Sequence, residues 1–514
     1  HKFFYTDANA LNKIEIYPNQ TATTPVRTIT YTRNLRGDLL GYTDSDTGIV
    51  MTYTRDIVGR VLTSQTNYGA FTKSHSYTYS PNGLPKTYTT VDGTVLTYKW
   101  DPANQFQGFE IPQVGAINIG YDQENWLQPT YFQFPGGMKQ TIEYDDLRRV
   151  KKLSSLNQGG GVLSSREYTY QTGPENYDLV QSITEGTNVT TYGYDNAFRL
   201  TSATYPGGAE SYSYDAIGRR QPGSGTPWTY NVNGAPLTAG GVTYTYDADG
   251  NRSTSVESGV TTSYFYDESD RLRKIESPTG TVISEYGYDP SGQRVWKEVG
   301  GVRSYFYYTE DGLAAELDSS GNVVKSYLFA PGSEWSTSPI AMKEGSEYRY
   351  FHNDHIGTPL HVMDGTGALV WNASYKPFGE ASISTTPGIN TTNNLRFPGQ
   401  YSDAESGLYY NLQRNYDPKL GSYLEQDPYG IITGFNRYGY AGGNPVGLYD
   451  PTGEVVPLLI IAGKVLLAAD IVYTGFELYN CIKFLNDQCA FPDLKESCYN
   501  AAISASLGVG VGLV

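Results

Sequence analysis

Cysteine is nearly absent from this chain: three in 514 residues, at Cys481, Cys489 and Cys498, and none in the first 480. A disulfide-stapled scaffold is therefore excluded for the body of the protein. A cysteine-free, strand-rich body suits an exported protein that must avoid stray disulfides. The three cysteines near the end cannot all pair with one another and fit no metal-binding spacing. Methionine (4) and histidine (5) are also scarce. Charged residues make up only 18% of the chain, and the net charge is −16. Nucleic-acid binding by the body is excluded on this ground, because phosphate contacts need clustered Lys and Arg. The densest basic stretch, Arg271 to Lys274, reads as a solvated hairpin. The chain begins at His1 with no secretory leader and reads as a fragment or a processed product.

Tyrosine and glycine fill the space left: 47 Tyr and 57 Gly. Tyr favours strands and Gly favours turns, so the composition predicts many short strands joined tightly. The order of residues sharpens this. Tyr194-Asp195, Tyr214-Asp215, Tyr246-Asp247, Tyr266-Asp267 and Tyr288-Asp289 each close a short run that alternates Tyr with Ser, Thr or Gly. They recur about every 20 residues, and one longer gap holds a further unit centred on Tyr230 with Asn231 in place of Asp. Degenerate units begin at Tyr31, Tyr53, Tyr79, Tyr121 and Tyr144. Period-2 alternation predicts strands. Asp followed three residues later by Gly, as in Asp215 to Gly218 and Asp247 to Gly250, predicts a type I turn. Arg219, Arg252 and Arg294 follow such turns. Units without the Gly, after Asp195 and Asp267, are expected to turn differently. A lone hairpin is marginal, whereas stacked hairpins pair one another's edges and bury one another's faces. Asp247-Ala248-Asp249-Gly250 lacks the ligand spacing of a calcium loop and reads as a turn.

Near residue 349 the character changes. YFHNDHIGTP at 350–359 and DGTG at 364–367 lead into VWNASY at 370–375, PFGE at 377–380 and LRFPGQY at 395–401. GLYYN at 407–411, RNYDP at 414–418, GSY at 421–423, DPYG at 427–430, NP at 444–445 and DPTG at 450–453 complete the series. This ordered set closely resembles the Rhs repeat-associated core, and the upstream units resemble YD repeats. That family includes bacterial Rhs toxins and the C component of insecticidal Tc toxins. The resemblance runs from about residue 30 to 454. It implies an all-β fold, with stacked YD-repeat hairpins spiralling into a hollow β-shell, or cocoon, around a C-terminal toxic polypeptide. Three regions follow: a YD-repeat shell over 1–348, the core over 349–454, and the start of a toxin or pre-toxin region over 455–514.

The resemblance also implies an intramolecular aspartyl protease that cuts once after the last Asp-Pro-x-Gly-Leu. Carried onto this sequence, its positions are Arg414, Asp417 and Asp427, and the scissile bond is Glu454–Val455. Glu454 stands where the family has Leu. Chemically, two neighbouring carboxylates resist joint ionisation, so one serves as base and the other as acid, with Arg414 steadying charge. Asp450 is assigned to a turn that presents the cut site. A simple hairpin at 418–421 leaves Asp427 about five residues, roughly 17 Å, beyond the turn. A neighbouring strand or the turn at Asp427 must then fold back. Asp-Pro-x-Gly also occurs at Asp289 and is an ordinary type I turn, so each Asp taken singly reads as a turn residue. His352, Asp354 and His355 lack a third ligand at motif spacing and read as structural; no metal or cofactor is expected.

After Gly453 the chain turns apolar. Val455 to Ala469 and Ile471 to Phe484 read as a short, mainly helical tail, interrupted by Lys464 and Asp470 and short for a membrane span. A hydrophobic segment held inside a shell fits this, with membrane contact as an alternative. The expected partners are this tail as cargo, a delivery machinery of type VI or Tc type, and a cognate immunity protein. The expected location is secreted, with delivery into target cells. Two other readings stand beside this one: an extracellular structural or adhesive YD-repeat protein that binds glycans or partner cells without cleavage, and a pore-forming tail.

Overall fold

The structure, a computed structural model, describes residues 1–6, 10–122, 128–173, 178–430 and 435–454. The expected tail, its cysteines and Val455 lie outside the described residues.

The hairpin reading holds along the chain. Among the described residues, each strand within a sheet pairs antiparallel with the next one in sequence, so the sheets are meanders. The first sheet has 20 strands, from Lys2–Tyr5 to Arg220–Pro222. The second has 16, from Thr229–Tyr230 to Ala381–Thr385, and the third has 4, from Tyr401–Asp403 to Ser422–Tyr423. The strand Glu347–Asn353 carries the second sheet straight through residue 348. The change of sequence character there is not a break between sheets.

One turn explains most of the wall. In the unit at Asp215 the amide of Gly218 donates to the Asp215 carbonyl (3.0 Å), and the amide of Asp215 donates to the Arg219 carbonyl (3.1 Å). The side chain completes the loop: Asp215 Oδ1 accepts from the amides of Ile217 (3.1 Å) and Arg219 (2.9 Å). The Arg219 guanidinium returns to Asp215 Oδ2 and lies over the ring of Tyr230, 4.9 Å from its centre. The pattern repeats at Asp56, Asp145 and Asp195, whose following Arg residues cover Tyr79, Tyr170 and Tyr214. Each Tyr also reaches sideways. The hydroxyls of Tyr170, Tyr194, Tyr214 and Tyr288 donate to the carbonyls of Val150, Val180, Leu200 and Leu272. Each of those carbonyls belongs to the first residue of the neighbouring strand. Adjacent turns are thus tied along one rim by a hydrogen bond worth about 1 kcal/mol and a cation–π contact worth about 0.5–1 kcal/mol.

The units lacking Gly turn in the same way, contrary to expectation. Phe198 and Asp270 donate to the carbonyls of Asp195 (2.9 Å) and Asp267 (3.1 Å), and both occupy the left-handed region (φ 62° and 61°) that Gly218 fills at φ 85°. The side-chain acceptor fixes the turn strongly enough to hold a non-glycine residue there.

The large sheets meet along a shared core. Ile29, Tyr42 and Ile49 of the first pack with Trp296, Tyr307 and Leu317 of the second. Leu96, Phe109, Ile117 and Met138 pack with Ala341, Tyr350 and Met363. Polar groups stitch the same seam. Tyr68 donates to the Phe306 carbonyl (2.7 Å) and Tyr307 to that of Ser64 (2.9 Å). His75 Nδ1 contacts Tyr307 Oη at 2.9 Å, and His352 Nδ1 contacts Ser155 Oγ at 2.6 Å.

Two predictions follow from these contacts. Arg148 is exposed and left-handed (φ 64°). Its replacement by Gly should raise stability by about 1 kcal/mol in chemical denaturation, because the conformational penalty of an L side chain disappears. Burial at the seam pushes His75 down to about 4 and His352 to about 3, from an ordinary 6.5. An unfolded chain would bind protons that the folded one refuses, so this stability is complete above pH 6.5 and drains as pH falls. Between roughly pH 6 and 4 each His should cost about 1.4 kcal/mol per pH unit. Thermal unfolding of His352→Asn should therefore be less pH-dependent than that of the parent.

Candidate functional site

The third sheet, the plug, packs against the second, and wall arginines hold it. Arg294, 1% exposed, pairs with Asp403 (Nη2 to Oδ1, 2.9 Å) and lies among the rings of Tyr286, Phe306, Tyr401 and Tyr410. Burial opposes ionisation of Asp403, but Arg294 and Lys297 outweigh it and hold its carboxyl below the usual range. Arg252, also 1% exposed, reaches Asp417 (Nη1 to Oδ2, 2.9 Å). Both arginines follow YD turns of the wall.

Asp417 is thereby placed away from its expected partner. It stands three residues after Arg414 on the strand Arg414–Asp417, and so on the opposite face. Its Oδ1 accepts the amides of Lys419 (3.1 Å) and Leu420 (3.3 Å), and its Oδ2 meets the wall. The next strand pairs Asp417 with Ser422 and Tyr416 with Tyr423. Leu424 donates to the Asn415 carbonyl (2.9 Å), so the chain runs back past Arg414. The antiparallel return therefore delivers Asp427 to Arg414, at the far end of the strand from Asp417. A backbone bond from Asp427 to the Arg437 carbonyl (2.9 Å) fixes it there.

Arg414 is 2% exposed and is the centre of the site. Its Nη2 lies 3.1 Å from Asp427 Oδ2 and 3.2 Å from Asp450 Oδ2. Its Nε donates to the Gly453 carbonyl, its Nη1 to the Arg437 carbonyl (3.2 Å), and its plane covers the Tyr423 ring at 3.6 Å. Tyr423 Oη donates to Asp450 Oδ2 (2.8 Å) and accepts from Asn411 Nδ2 (2.8 Å). The carboxylate that joins Asp427 on Arg414 is thus Asp450, not Asp417.

The turn and the charge centre use the same side chains. Asp427 Oδ1 accepts the Tyr429 amide (2.9 Å) while its Oδ2 faces Arg414. Asp450 Oδ1 accepts the Glu454 amide (3.2 Å) while its Oδ2 faces Arg414 and Tyr423. The third Asp-Pro-x-Gly behaves alike, with Asp289 Oδ1 in its turn and Oδ2 accepting from Tyr42 (3.0 Å).

The last described segment is laid along the Arg414 strand. Gln413 donates to the Thr452 carbonyl (3.1 Å) and Asn411 Nδ2 to that of Asp450 (2.8 Å). Gly453 is required: φ is +69°, and a Cβ would stand 2.4 Å from the Asn411 carbonyl oxygen. Glu454 is half-buried, and burial together with Asp450 and Asp427, against the opposing pull of Arg414, pushes its carboxyl up to about 7. Glu425, fully desolvated and bonded to the amide (2.8 Å) and side chain (3.0 Å) of Asn415, is also raised to about 7. Sequence reasoning missed Tyr423, Asn411 and Glu425, although GLYYN and GSY stand among the core motifs. Asp450 was legible only as a copy of the Asp427 motif.

His352 lies at the sheet seam, and His355 Nε2 bonds the Val446 carbonyl (2.8 Å). Asp354 closes a turn through the amides of Ile356 and Thr358. No helix among the described residues is long and apolar enough to cross a membrane.

The family described as Teneurin YD-shell matches residues 176–446, just over half of the 514. The chain belongs to this YD-shell family. Among curated YD-shell relatives, Double-stranded DNA deaminase toxin A of Burkholderia cenocepacia is 31% identical over 365 residues, covering 62% of this chain and 24% of that protein. Toxin protein Tse5 of Pseudomonas aeruginosa is 43% identical over 120 residues, 23% of this chain and 9% of that one. The tRNA nuclease WapA of Bacillus subtilis is 26% identical over 400 residues, 76% of this chain and 15% of that one. The chain therefore spans a quarter or less of the length of these three relatives. A crystal structure of TcdB2-TccC3-Cdc42 superposes with a TM-score of 0.70 at 18% identity, covering 88% of this chain and 26% of that one. The fold is the Rhs/YD shell fold of that Tc toxin structure.

Arg414 is the buried cation that Asp427 and Asp450 share. Arg414→Met should destabilise the protein by about 3–5 kcal/mol, the usual cost of stranding buried charge. The loss in thermal unfolding should be larger at pH 8 than at pH 6, where Glu454 takes up a proton.

Proposed function

We propose that this chain forms the wall and plug of a shell that encloses a toxic polypeptide beginning at Val455, and frees it by one intramolecular cut at Glu454–Val455. The observation that carries this reading is the placement of Arg414 between Asp427 and Asp450 with its Nε on the Gly453 carbonyl, one residue before the proposed cut. In this reading the acid pair is Asp427 and Asp450, and Asp417 is an anchor to the wall. A water oxygen bonds to the Glu454 carbonyl carbon while one carboxylate of the pair takes the water's proton. The other, protonated, member polarises the carbonyl oxygen, and a proton passes to the Val455 nitrogen as the C–N bond breaks. The products are a carboxyl group on Glu454 and an amino group on Val455. Arg414 holds the segment in register and offsets the charge of the pair.

Relatives named as toxins and nucleases share only this part of their length with the chain, which supports a common shell with separate cargoes. A cognate immunity protein, type VI or Tc-type delivery, and action outside the producing cell belong to the same proposal. The adhesive alternative needs free Tyr faces, whereas the repeat hydroxyls of Tyr170, Tyr194, Tyr214 and Tyr288 are spent within the wall.

Intact-mass analysis of the purified chain tests the cut. The expected result is two fragments ending at Glu454 and beginning at Val455, held together natively and separated by denaturant. Asp427→Asn and Asp450→Asn should each remain whole, and Asp417→Asn should still be cut. A whole wild-type chain would sink the protease reading; a cut Asp450→Asn chain would remove Asp450 from the pair.

A further inference from the structure

We infer that a small cavity between the two large sheets holds a monovalent cation of ammonium's size, with Asp311 as its counter-charge and Tyr77, Tyr88 and Tyr98 around it. No residue of the Arg414 site takes part. Strand pairing in the first sheet sets Tyr77 directly against Tyr88 and Tyr98 against Phe109, and side chains paired in this way share a face. The rings of Tyr77 and Tyr88 stack with centres 5.1 Å apart, and those of Tyr98 and Phe109 lie 5.5 Å apart. From the second sheet's side the cavity is closed by Phe329 and by Asp311, in the turn between the strands Val302–Thr309 and Gly312–Leu317. It leaves about 10 Å³ for the centre of a water-sized group, which is the room one such group needs.

A carboxylate and three phenols meet there without a cation. Asp311 Oδ1 accepts the Gly332 amide (2.8 Å), but no Lys, Arg or His reaches ion-pair distance of Asp311 among the described residues. Burial, with Glu310 adding to it, pushes the Asp311 carboxyl up to about 7 against the pull of the Gly332 and Ser333 amides. His75, beside Tyr77 and Tyr88, is kept neutral by burial, and its Nδ1 is engaged with Tyr307. The hydroxyls of Tyr77, Tyr88 and Tyr98 make no hydrogen bond among the described residues. By contrast, Tyr79 donates to the Val61 carbonyl (2.8 Å), and Tyr327, also at the cavity, donates to Glu316 (2.6 Å). Burial raises the pKa of all three free phenols, and the charge of Asp311 adds to each.

A carboxylate walled by aromatic rings is costly without an opposite charge. A water molecule supplies hydrogen bonds but no charge. A monovalent cation supplies both needs: the carboxylate neutralises it, the phenol oxygens accept or coordinate, and the ring faces attract it. Ammonium brings four N–H groups to one carboxylate and three phenol oxygens. Potassium is of nearly the same size, whereas a tetramethylated ammonium exceeds the space. An ion held by side chains of both sheets stabilises the folded chain by mass action.

Thermal unfolding of the full chain in ammonium, potassium, sodium and tetramethylammonium chloride, at matched chloride concentration, tests the site. The midpoint should rise with the concentration of ammonium, of potassium or of both, above its value in sodium or tetramethylammonium. Asp311→Asn should lose this difference between salts. Tyr88→Phe keeps the ring and removes one oxygen; it should need about threefold or more of the ion for the same rise. Equal midpoints in ammonium, potassium and sodium would overturn the inference. So would a difference between salts that persists unchanged in Asp311→Asn or, where that variant does not fold, in Tyr88→Phe.

Discussion

The carboxylate that accepts its own turn's amides is the constraint on which the rest of this shell depends. In each YD unit one Asp oxygen accepts two backbone amides and closes the loop. That leaves the second oxygen free to choose a partner. At Asp56, Asp145, Asp195 and Asp215 the partner is the Arg that ends the turn, which in turn covers the next Tyr ring. Turn after turn stacks along one rim, and the meander accumulates with no other connection than sequence order. Because the side chain fixes the loop, even Phe198 and Asp270 are held left-handed where glycine is usual.

In the plug the same device has been turned inward. Asp427 and Asp450 still accept turn amides with Oδ1, but their Oδ2 atoms share the buried Arg414. A turn role and an ion-pair role are therefore not alternatives for these residues; the two oxygens divide them. The wall also supplies cations to the plug, Arg294 to Asp403 and Arg252 to Asp417, so plug and wall are joined by ion pairs that burial makes costly to break. The arrangement of the site rests on that docking, since the strand bearing Arg414 is fixed at its other end by Asp417.

Much of this was legible in the sequence. Period-2 alternation, the Tyr-Asp spacing and the Asp-x-x-Gly turns specify a meander of hairpins because each cue is local. The core motifs bring Arg414 and Asp427 into view, and strand length shows that Asp427 lies too far from Asp417 unless the chain folds back. What sequence could not give is the direction of that return. An antiparallel strand moves Asp427 away from Asp417 and toward Arg414, and only the pairing of Asp417 with Ser422 reveals it. Asp450 was hidden for a related reason: it approaches through 23 further residues, and its motif is indistinguishable from the Asp289 turn, whose second oxygen meets Tyr42. The seam was equally invisible, because contacts such as His352 with Ser155 join residues far apart in the chain.

An experimental density map of the full wild-type chain around residues 411–455 tests the central claim most directly. The account predicts Asp427 and Asp450 sharing Nη2 of the Arg414 guanidinium, Asp417 on Arg252, and a main chain that stops at Glu454. Continuous density from Glu454 into Val455, with Asp417 and Asp427 facing each other, would contradict it.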